Sequence, residues 1–389
     1  AMRETWRRLC IPSGIVIALL IAAPWHVLAS LRNPPYLDFT MHSGPGEYRG
    51  FFWFYFFNEH ILRFLNTRYP RDYNTVPRLY FWLFHLLWLF PWSMFFPATL
   101  KLSYRSADRA SRMRLLCLCW AGFLLTFFTF SSTQEYYSMP CYPALALLLG
   151  SAIASDHAWL RWGRMTLGAI SALAFAAIVA ILSQVWSLPA PGDISRALTQ
   201  NPDAYTLSLG HMGDLTLASF AYLKLPLLVA GAAFLIGAVC SFRWKPAGVV
   251  VMMVLFIHAA RLALIVFDPY LASRPLAEAL NRAPKGKLIL DDQYYTFSSI
   301  VFYAEKYHGD RLLLLNGRVN NLEYGSYAPG AENVFLDDAG FAKLWQTEDR
   351  YYIAIERPQL ERLQKLSGGK LFQVVESGGK YVYSNQAVM

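Results

Sequence analysis

The sequence predicts an α-helical polytopic membrane protein of about seven spans, followed by a C-terminal soluble α/β domain. Three observations carry that class. First, 55% of the 389 residues are hydrophobic, too many for a soluble globule. Second, the apolar residues gather in runs long enough to cross a bilayer, which takes about 20 residues of helix. Third, the character changes after Phe267: charges rise, no further spanning run follows, and 268–389 is long enough for one domain.

The runs are Gly14–Leu31, Leu79–Leu100, Met113–Ser132, Met139–Ser155, Met165–Trp186, Tyr222–Phe242 and Ala247–Phe267. The third and fourth are short and nearly contiguous, which predicts a tight helical hairpin. The net charge of +9 is a topology signal rather than a nucleic-acid footprint. Arg3, Arg7 and Arg8 precede the first span, and Lys101, Arg105, Arg109, Arg112 and Arg114 follow the second. Arg161 and Arg164 follow the fourth, and Arg243 and Lys245 the sixth. If seven spans alternate, all four places share one side, and positive loops stay cytoplasmic. The expected plan is therefore a transmembrane region 1–267 with an external interfacial segment 32–78, and an extracytoplasmic α/β domain 268–389. The setting is a bacterial cytoplasmic (inner) membrane, with membrane lipid as a partner and no nucleic acid.

All five cysteines lie in or beside spans, so no disulfide framework is expected, and Cys117-x-Cys119 inside a helix is not a structural zinc spacing. No small-residue cleavage site follows the first apolar run, so it is not read as a signal peptide. The chain opens Ala1-Met2, and its first span reads as the continuation of something longer.

The segment from His42 to Arg78 breaks the charge rule. A turn, Ser43-Gly44-Pro45-Gly46, leads into seven consecutive aromatics, Phe51 to Phe57, and then into Asn58-Glu59-His60, with Arg63, Arg68, Arg71 and Arg78 beyond. It is too aromatic for an ordinary loop and too charged to span lipid, which fits a helix lying at the membrane surface. Helical spacing places Phe56, His60 and Arg63 on one face, with Glu59 one turn before Arg63. One reading is an amphipathic helix with internal ion pairs. The other is anion capture, because arginine matches phosphate bidentately.

Further on, the polar loop Ser131–Pro140 carries Glu135, Tyr136 and Tyr137; the tyrosines read equally as belt aromatics, whereas an acid at that depth needs a partner or water. Lys224 and Arg261 lie near helix ends, where snorkelling accounts for them. The tail alternates strands with helices, which indicates a layered α/β arrangement. The strands are Lys287–Asp291, Arg311–Leu315, Asn333–Leu336 and Tyr351–Ile355. The helices are Phe297–His308, Asp338–Thr347 and Pro358–Leu366. A closing hairpin, Phe372–Glu376 and Lys380–Ser384, turns on Ser377-Gly378-Gly379. Asp291-Asp292 and Asp337-Asp338 end strands, where they could bind metal or cap helices.

Four stretches carry a resemblance: AAPWHVLASLRNPPY ending a span, YFFNEHILRF in the surface segment, QEYYSMPCYPALALLLG opening a later span, and a terminal α/β domain ending in GGKYVYSN. With them the chain resembles the C-terminal part of polyprenyl-phosphate-sugar-dependent membrane glycosyltransferases of the GT-C class, the family of the lipid A aminoarabinose and protein O-mannosyl transferases. The resemblance implies transfer of a sugar from an undecaprenyl-phosphate-linked donor to a lipid or protein acceptor at the outer face of the cytoplasmic membrane, with inversion. It implies that His60, Arg63 and Arg68 bind the donor phosphate and that Glu59, Glu135 and Tyr137 line the active site. No cofactor is required for the chemistry, although the family places a divalent metal near the position of His60. The family's catalytic acid sits in a loop between its first two spans, ahead of everything matched here. The catalytic base is therefore expected upstream, and Glu59, Glu135, Asp38 and Asp72 are substitutes among which spacing does not choose. Two other readings stand beside this one: a non-catalytic polyprenyl-phosphate-binding membrane protein, and an anchored hydrolase with metal on Asp291, Asp292, Asp337 and Asp338.

Overall fold

A computed structural model describes residues 2–71, 77–105, 108–131, 134–199, 210–243 and 246–388. The chain divides into two compact units, one of Ala1–Tyr73 with Arg318–Asn333, the other of Asn74–Gly317 with Val334–Met389.

In the first unit, α1 (Ile11–Arg32) is apolar throughout and ends before Asn33-Pro34-Pro35, since the residue before a proline disfavours helix. The chain then doubles back: Phe51 donates its N–H to the Asn33 carbonyl at 3.1 Å. Gly50 sits at the crossing with φ of 77°, and a Cβ there would lie 2.3 Å from the Pro35 carbonyl oxygen. Only glycine fits that approach. A π-helix, Trp53–Leu62, follows. This corrects the α-helical spacing assumed from sequence, because the wider coil places Tyr55, not Phe56, beneath His60. The residues 318–333 fold into this unit through a short helix, Asn321–Ser326.

In the second unit the predicted span Leu79–Leu100 is not straight. Helix α2 (Arg78–Trp88) and the stretch Trp92–Thr99 meet at a bend of 100°. Pro91 lacks an N–H and its ring blocks the preceding turn, so the helix breaks there. Ser93 Oγ satisfies the Leu86 carbonyl at 2.6 Å. The expected hairpin is formed by α3 (Arg109–Phe130) and α4 (Tyr142–Ala154), joined through buried Cys117, Ala121, Cys141, Ala144, Leu145 and Leu148. The last three long helices, α5 (Leu160–Val185), α6 (Lys224–Arg243) and α7 (Pro246–Leu271), approach closely at small residues. A Cβ on Gly237, for example, would lie 2.1 Å from the Met252 sulfur. Among the described residues six helices are long and apolar enough to cross a membrane, seven if the bent pair is one span.

The tail forms a six-stranded sheet with strand order β3-β2-β1-β4-β6-β5. Strands β1 (Lys287–Asp291), β2 (Leu313–Leu315), β3 (Phe335–Leu336) and β4 (Tyr351–Glu356) run parallel. β5 (Phe372–Ser377) and β6 (Lys380–Ser384) close it antiparallel. Ile289 pairs with Leu313 on one side and Ile353 on the other, so the parallel strands are buried on both faces. Phe341 and Trp345, from helix Asp338–Trp345, fill the core on one face. Strand positions follow the sequence reading closely. The helices Arg274–Arg282 and Asn321–Ser326 were not foreseen.

The turn Gly378-Gly379 has positive φ at both residues, 63° and 75°, as a type I′ hairpin turn requires. A Cβ on Gly378 would also lie 1.6 Å from the Pro269 carbonyl oxygen at the end of α7. Beside this turn the buried Lys380 ammonium donates to the carbonyls of Tyr270 (2.7 Å) and Ala272 (3.0 Å). Burial pushes its pKa down to about 8, with Glu356 and Asp268 opposing the shift.

Candidate functional site

Glu59 of the π-helix joins two other predicted site residues, Arg63 and Arg68, in one ion cluster. Glu59 spreads its two carboxylate oxygens between two arginines, accepting from Arg63 Nη1 at 2.9 Å and from Arg68 Nε at 2.6 Å. The Arg63 side chain keeps 35% of its surface exposed, whereas Arg68 keeps 10%. Arg68 is clamped further, donating to the Pro70 carbonyl (2.7 Å) and to Asn321 Oδ1 (2.9 Å). Of the two arginines on Glu59, Arg63 is the more accessible.

His60 is exposed and lies on the Tyr55 ring, centroids 4.9 Å apart. Its Nδ1 meets the Tyr55 carbonyl at 2.5 Å, five residues back. A carbonyl can only accept, so Nδ1 carries a proton and Nε2 is left facing outward. A metal needs companion donors. Among the described residues no three of His, Cys, Asp and Glu gather in a metal-holding group, and both oxygens of neighbouring Glu59 are held by arginines. The donors around His60 do not fit a metal ion.

The same π-helix borders an apolar groove of ≈ 600 Å³ through Phe56. Leu19, Ala23, Val27 and Leu31 of α1 form one wall, and Phe52 and Phe56 the other. His26 lies in this wall, its Nδ1 held by the Ala22 carbonyl at 2.8 Å. Aromatic periodicity in the sequence signalled these rings, and folding turns them toward α1.

Buried polar contacts fix the turn that carries Arg68. Asn58 is fully buried; its amide donates to the Tyr69 carbonyl and its Oδ1 accepts from the Tyr69 N–H at 2.8 Å. The Tyr69 hydroxyl donates to Glu323 Oε1 at 2.5 Å. Burial, reinforced by that carboxylate, pushes the Tyr69 pKa up. Tyr324 is buried against Trp53, Phe54 and Tyr48. Its hydroxyl accepts from the Arg49 N–H and donates to the Gly50 carbonyl, both at 3.0 Å. None of Asn321, Glu323 and Tyr324 was singled out from sequence, because nothing local marks their loop-like stretch.

Among the substitute bases, Asp38 is paired with Arg49 at 3.2 Å and with Thr40. Burial raises its pKa, but the Thr40 and Arg49 hydrogen bonds outweigh it and hold the carboxyl below its ordinary value. Asp72 and the Glu135 side chain lie outside the described residues. Tyr137, in the second unit, is half-buried with its ring 5.9 Å from Phe128 and 5.2 Å from Tyr136. Next to it Ser138 is buried against His85 Nε2, a pair that sequence reading missed because the two lie 53 positions apart. The acids at strand ends are structural. Asp337 caps a helix through the Gly340 N–H at 2.7 Å, and Arg362 bridges Asp291 and Asp338, the latter at 2.7 Å.

Long apolar helices, a broken helix pair and a terminal α/β sheet define a polytopic membrane protein, and solved structures share this fold. The crystal structure of ArnT from Cupriavidus metallidurans bound to undecaprenyl phosphate matches with a TM-score of 0.60 at 20% identity, over 98% of this chain and 62% of that one. Its apo state matches with a TM-score of 0.63. No family model matches. In sequence, the chain is similar to undecaprenyl phosphate-alpha-4-amino-4-deoxy-L-arabinose arabinosyl transferases. The relative from Pectobacterium carotovorum is 31% identical over 176 residues, 43% of this chain and 28% of the relative. One from Pseudomonas fluorescens is 26% identical over 352 residues, 87% of this chain and 52% of the relative. The chain thus spans about half the length of that relative. The resemblance drawn from the four sequence stretches holds.

Proposed function

We propose that this chain forms the donor-phosphate part of a glycosyltransferase that takes sugar from an undecaprenyl-phosphate-linked donor and passes it to a lipid or protein acceptor. One observation carries the reading: the π-helix bears His60, Arg63 follows directly at its end, and the apolar groove beside it is lined by Phe52, just ahead of the helix, and Phe56 within it. A polyprenyl phosphate needs that combination, apolar surface for isoprene units and fixed cations for the headgroup. The relatives' names supply the same donor class.

In this reading the groove holds the isoprene units nearest the phosphate, Arg63 binds phosphate oxygens, and His60 offers a further hydrogen bond. As the sugar–oxygen bond breaks, charge collects on the departing phosphate, and preorganised cations stabilise it without reorganisation. Arg68 contributes its charge while it holds Glu59, so that Glu59 does not neutralise Arg63 alone. The base that deprotonates the acceptor hydroxyl is not assigned to a residue of this chain. We place the sheet domain 268–389 outside the cytoplasm, counting the bent pair Arg78–Trp88 and Trp92–Thr99 as one crossing. What supports that placement is the basic run Lys101–Arg114 after it, which positive loops keep cytoplasmic.

The test is transfer from radiolabelled undecaprenyl-phosphate sugars in membranes, by this chain alone and by a form carrying the upstream coding region. Transfer by the longer form, lost in His60→Ala and Arg63→Ala, supports the proposal. Transfer that survives both substitutions sinks the phosphate site. Phosphate-dependent lipid binding without transfer in either form points to a non-catalytic binder.

A further inference from the structure

We propose that the end of the helical bundle away from the sheet binds anionic glycerophospholipid headgroups through Lys101, Arg105, Arg112 and Arg161, with Trp159 and Trp162 as interfacial anchors. The inference is independent of the donor-phosphate reading, because it concerns other residues and another ligand.

The fold assembles this surface from separate stretches of the chain. Leu102, just past the bent pair, packs with Ala152 near the end of α4 and Leu160 at the start of α5 in one buried cluster. Tyr104 packs against the cluster of Cys117 and Ala121, which brings the first half of α3 alongside. A Cβ on Gly163 would lie 2.6 Å from the Phe95 ring, so α5 begins close against the stretch after the bend. The end of α6 joins them, since a Cβ on Gly168 would lie 2.8 Å from the Phe242 ring. Helix α7 starts there and runs to the sheet, which meets it at Pro269 and Tyr270.

Charge and aromatic placement give the surface its ligand. Between 101 and 114 five basic residues stand against one acid, Asp108. That carboxylate caps α3, accepting from the Ser111 N–H at 2.9 Å and Oγ at 2.7 Å. Lys101, Arg105, Arg112 and Arg161 are exposed and form no ion pair among the described residues. Lys101 Nζ instead lies 4.3 Å from the centre of the Trp159 ring, a contact that seats an ammonium without neutralising it. Trp159 and Trp162 are 37% and 68% exposed, and indoles settle at headgroup depth. Topology requires only that basic residues be numerous here. The seat of Lys101 on Trp159 goes further, because it holds a cation level with lipid phosphates. Free phosphate shares that charge chemistry, but the tryptophans favour a phosphate carried by a lipid.

The experiment measures binding of phosphatidylglycerol to the full chain in detergent, with phosphatidylcholine and inorganic phosphate as the other arms. Wild type should bind phosphatidylglycerol at least about 10-fold more tightly than phosphatidylcholine. Lys101→Gln and Arg161→Gln should each weaken phosphatidylglycerol binding about 5-fold, the worth of one basic residue at an anionic surface, and leave phosphatidylcholine binding unchanged. Lys101→Arg and Arg161→Lys should retain it. Raising salt from about 0.1 M to about 1 M should remove most of the preference in wild type, a measurement that decides the question even where a glutamine variant fails to fold. Equal affinity for the two lipids overturns the inference, as does a preference that salt leaves intact. Unchanged phosphatidylglycerol affinity in both glutamine variants overturns it too. Inorganic phosphate binding as tightly as phosphatidylglycerol would make this a soluble-anion site, and the lipid assignment would fall.

Discussion

Two ion clusters in this molecule are near mirror images. On the π-helix one carboxylate, Glu59, is shared by two arginines, whereas at the sheet one arginine, Arg362, is shared by two carboxylates, Asp291 and Asp338. The first leaves Arg63 partly exposed; the second keeps Asp291 buried. The same ion pairs thus serve opposite ends. In the proposed reading the accessible arginine of the first receives an anion, whereas the single cation of the second ties buried Asp291, at the end of β1, to Asp338 beyond β3 and makes a strut.

Breaking each cluster in turn is the sharpest way to test that contrast. Arg63→Ala should weaken undecaprenyl phosphate binding by about 10- to 100-fold, the range for hydrogen bonds to a charged group. Arg362→Ala should leave binding unchanged. It should instead lower stability by about 2–4 kcal/mol, read as a fall in melting temperature, because it strands a buried Asp291. A binding loss in Arg362→Ala with melting unchanged would erase the distinction. Next in size is Gly378→Ala, expected to cost about 1–3 kcal/mol, because its Cβ meets a backbone carbonyl at positive φ. Tyr324→Phe should cost about 1–2 kcal/mol in chemical unfolding, since it strips partners from the Arg49 N–H and the Gly50 carbonyl.

The last effect is a pH dependence confined to the sheet. Lys380 has a folded pKa of about 8, below its unfolded value, so the unfolded chain binds more protons between the two. Stability should therefore rise as pH increases from about 8 to about 10, by at most about 3 kcal/mol. Melting curves of Lys380→Met should lose that rise. An identical slope in wild type and variant would assign it to other groups.

Much of the tail was legible because its strands are short apolar runs separated by turn residues and helical stretches. The Ser377-Gly378-Gly379 turn marked the hairpin, and Asp337 stood where a capping residue stands. The site was legible in part. His60, Glu59 and Arg63 stood out as charge beside seven aromatics, but their arrangement was misjudged, because the spacing argument assumed an α-helix where the chain forms a π-helix.

By itself, then, the sequence determined the membrane class, six of the spans, the order of the strands along the chain, and the cationic surface segment. These depend on composition and short periodicities. The tertiary structure alone decided that Leu79–Leu100 turns through 100°, because hydropathy counts apolar residues without regard to direction. It also decided that Asn321, Glu323 and Tyr324 join the unit that holds Arg63, and that Ser138 meets His85. Contacts between residues more than two hundred positions apart leave no period in a sequence; they exist only once the chain has closed.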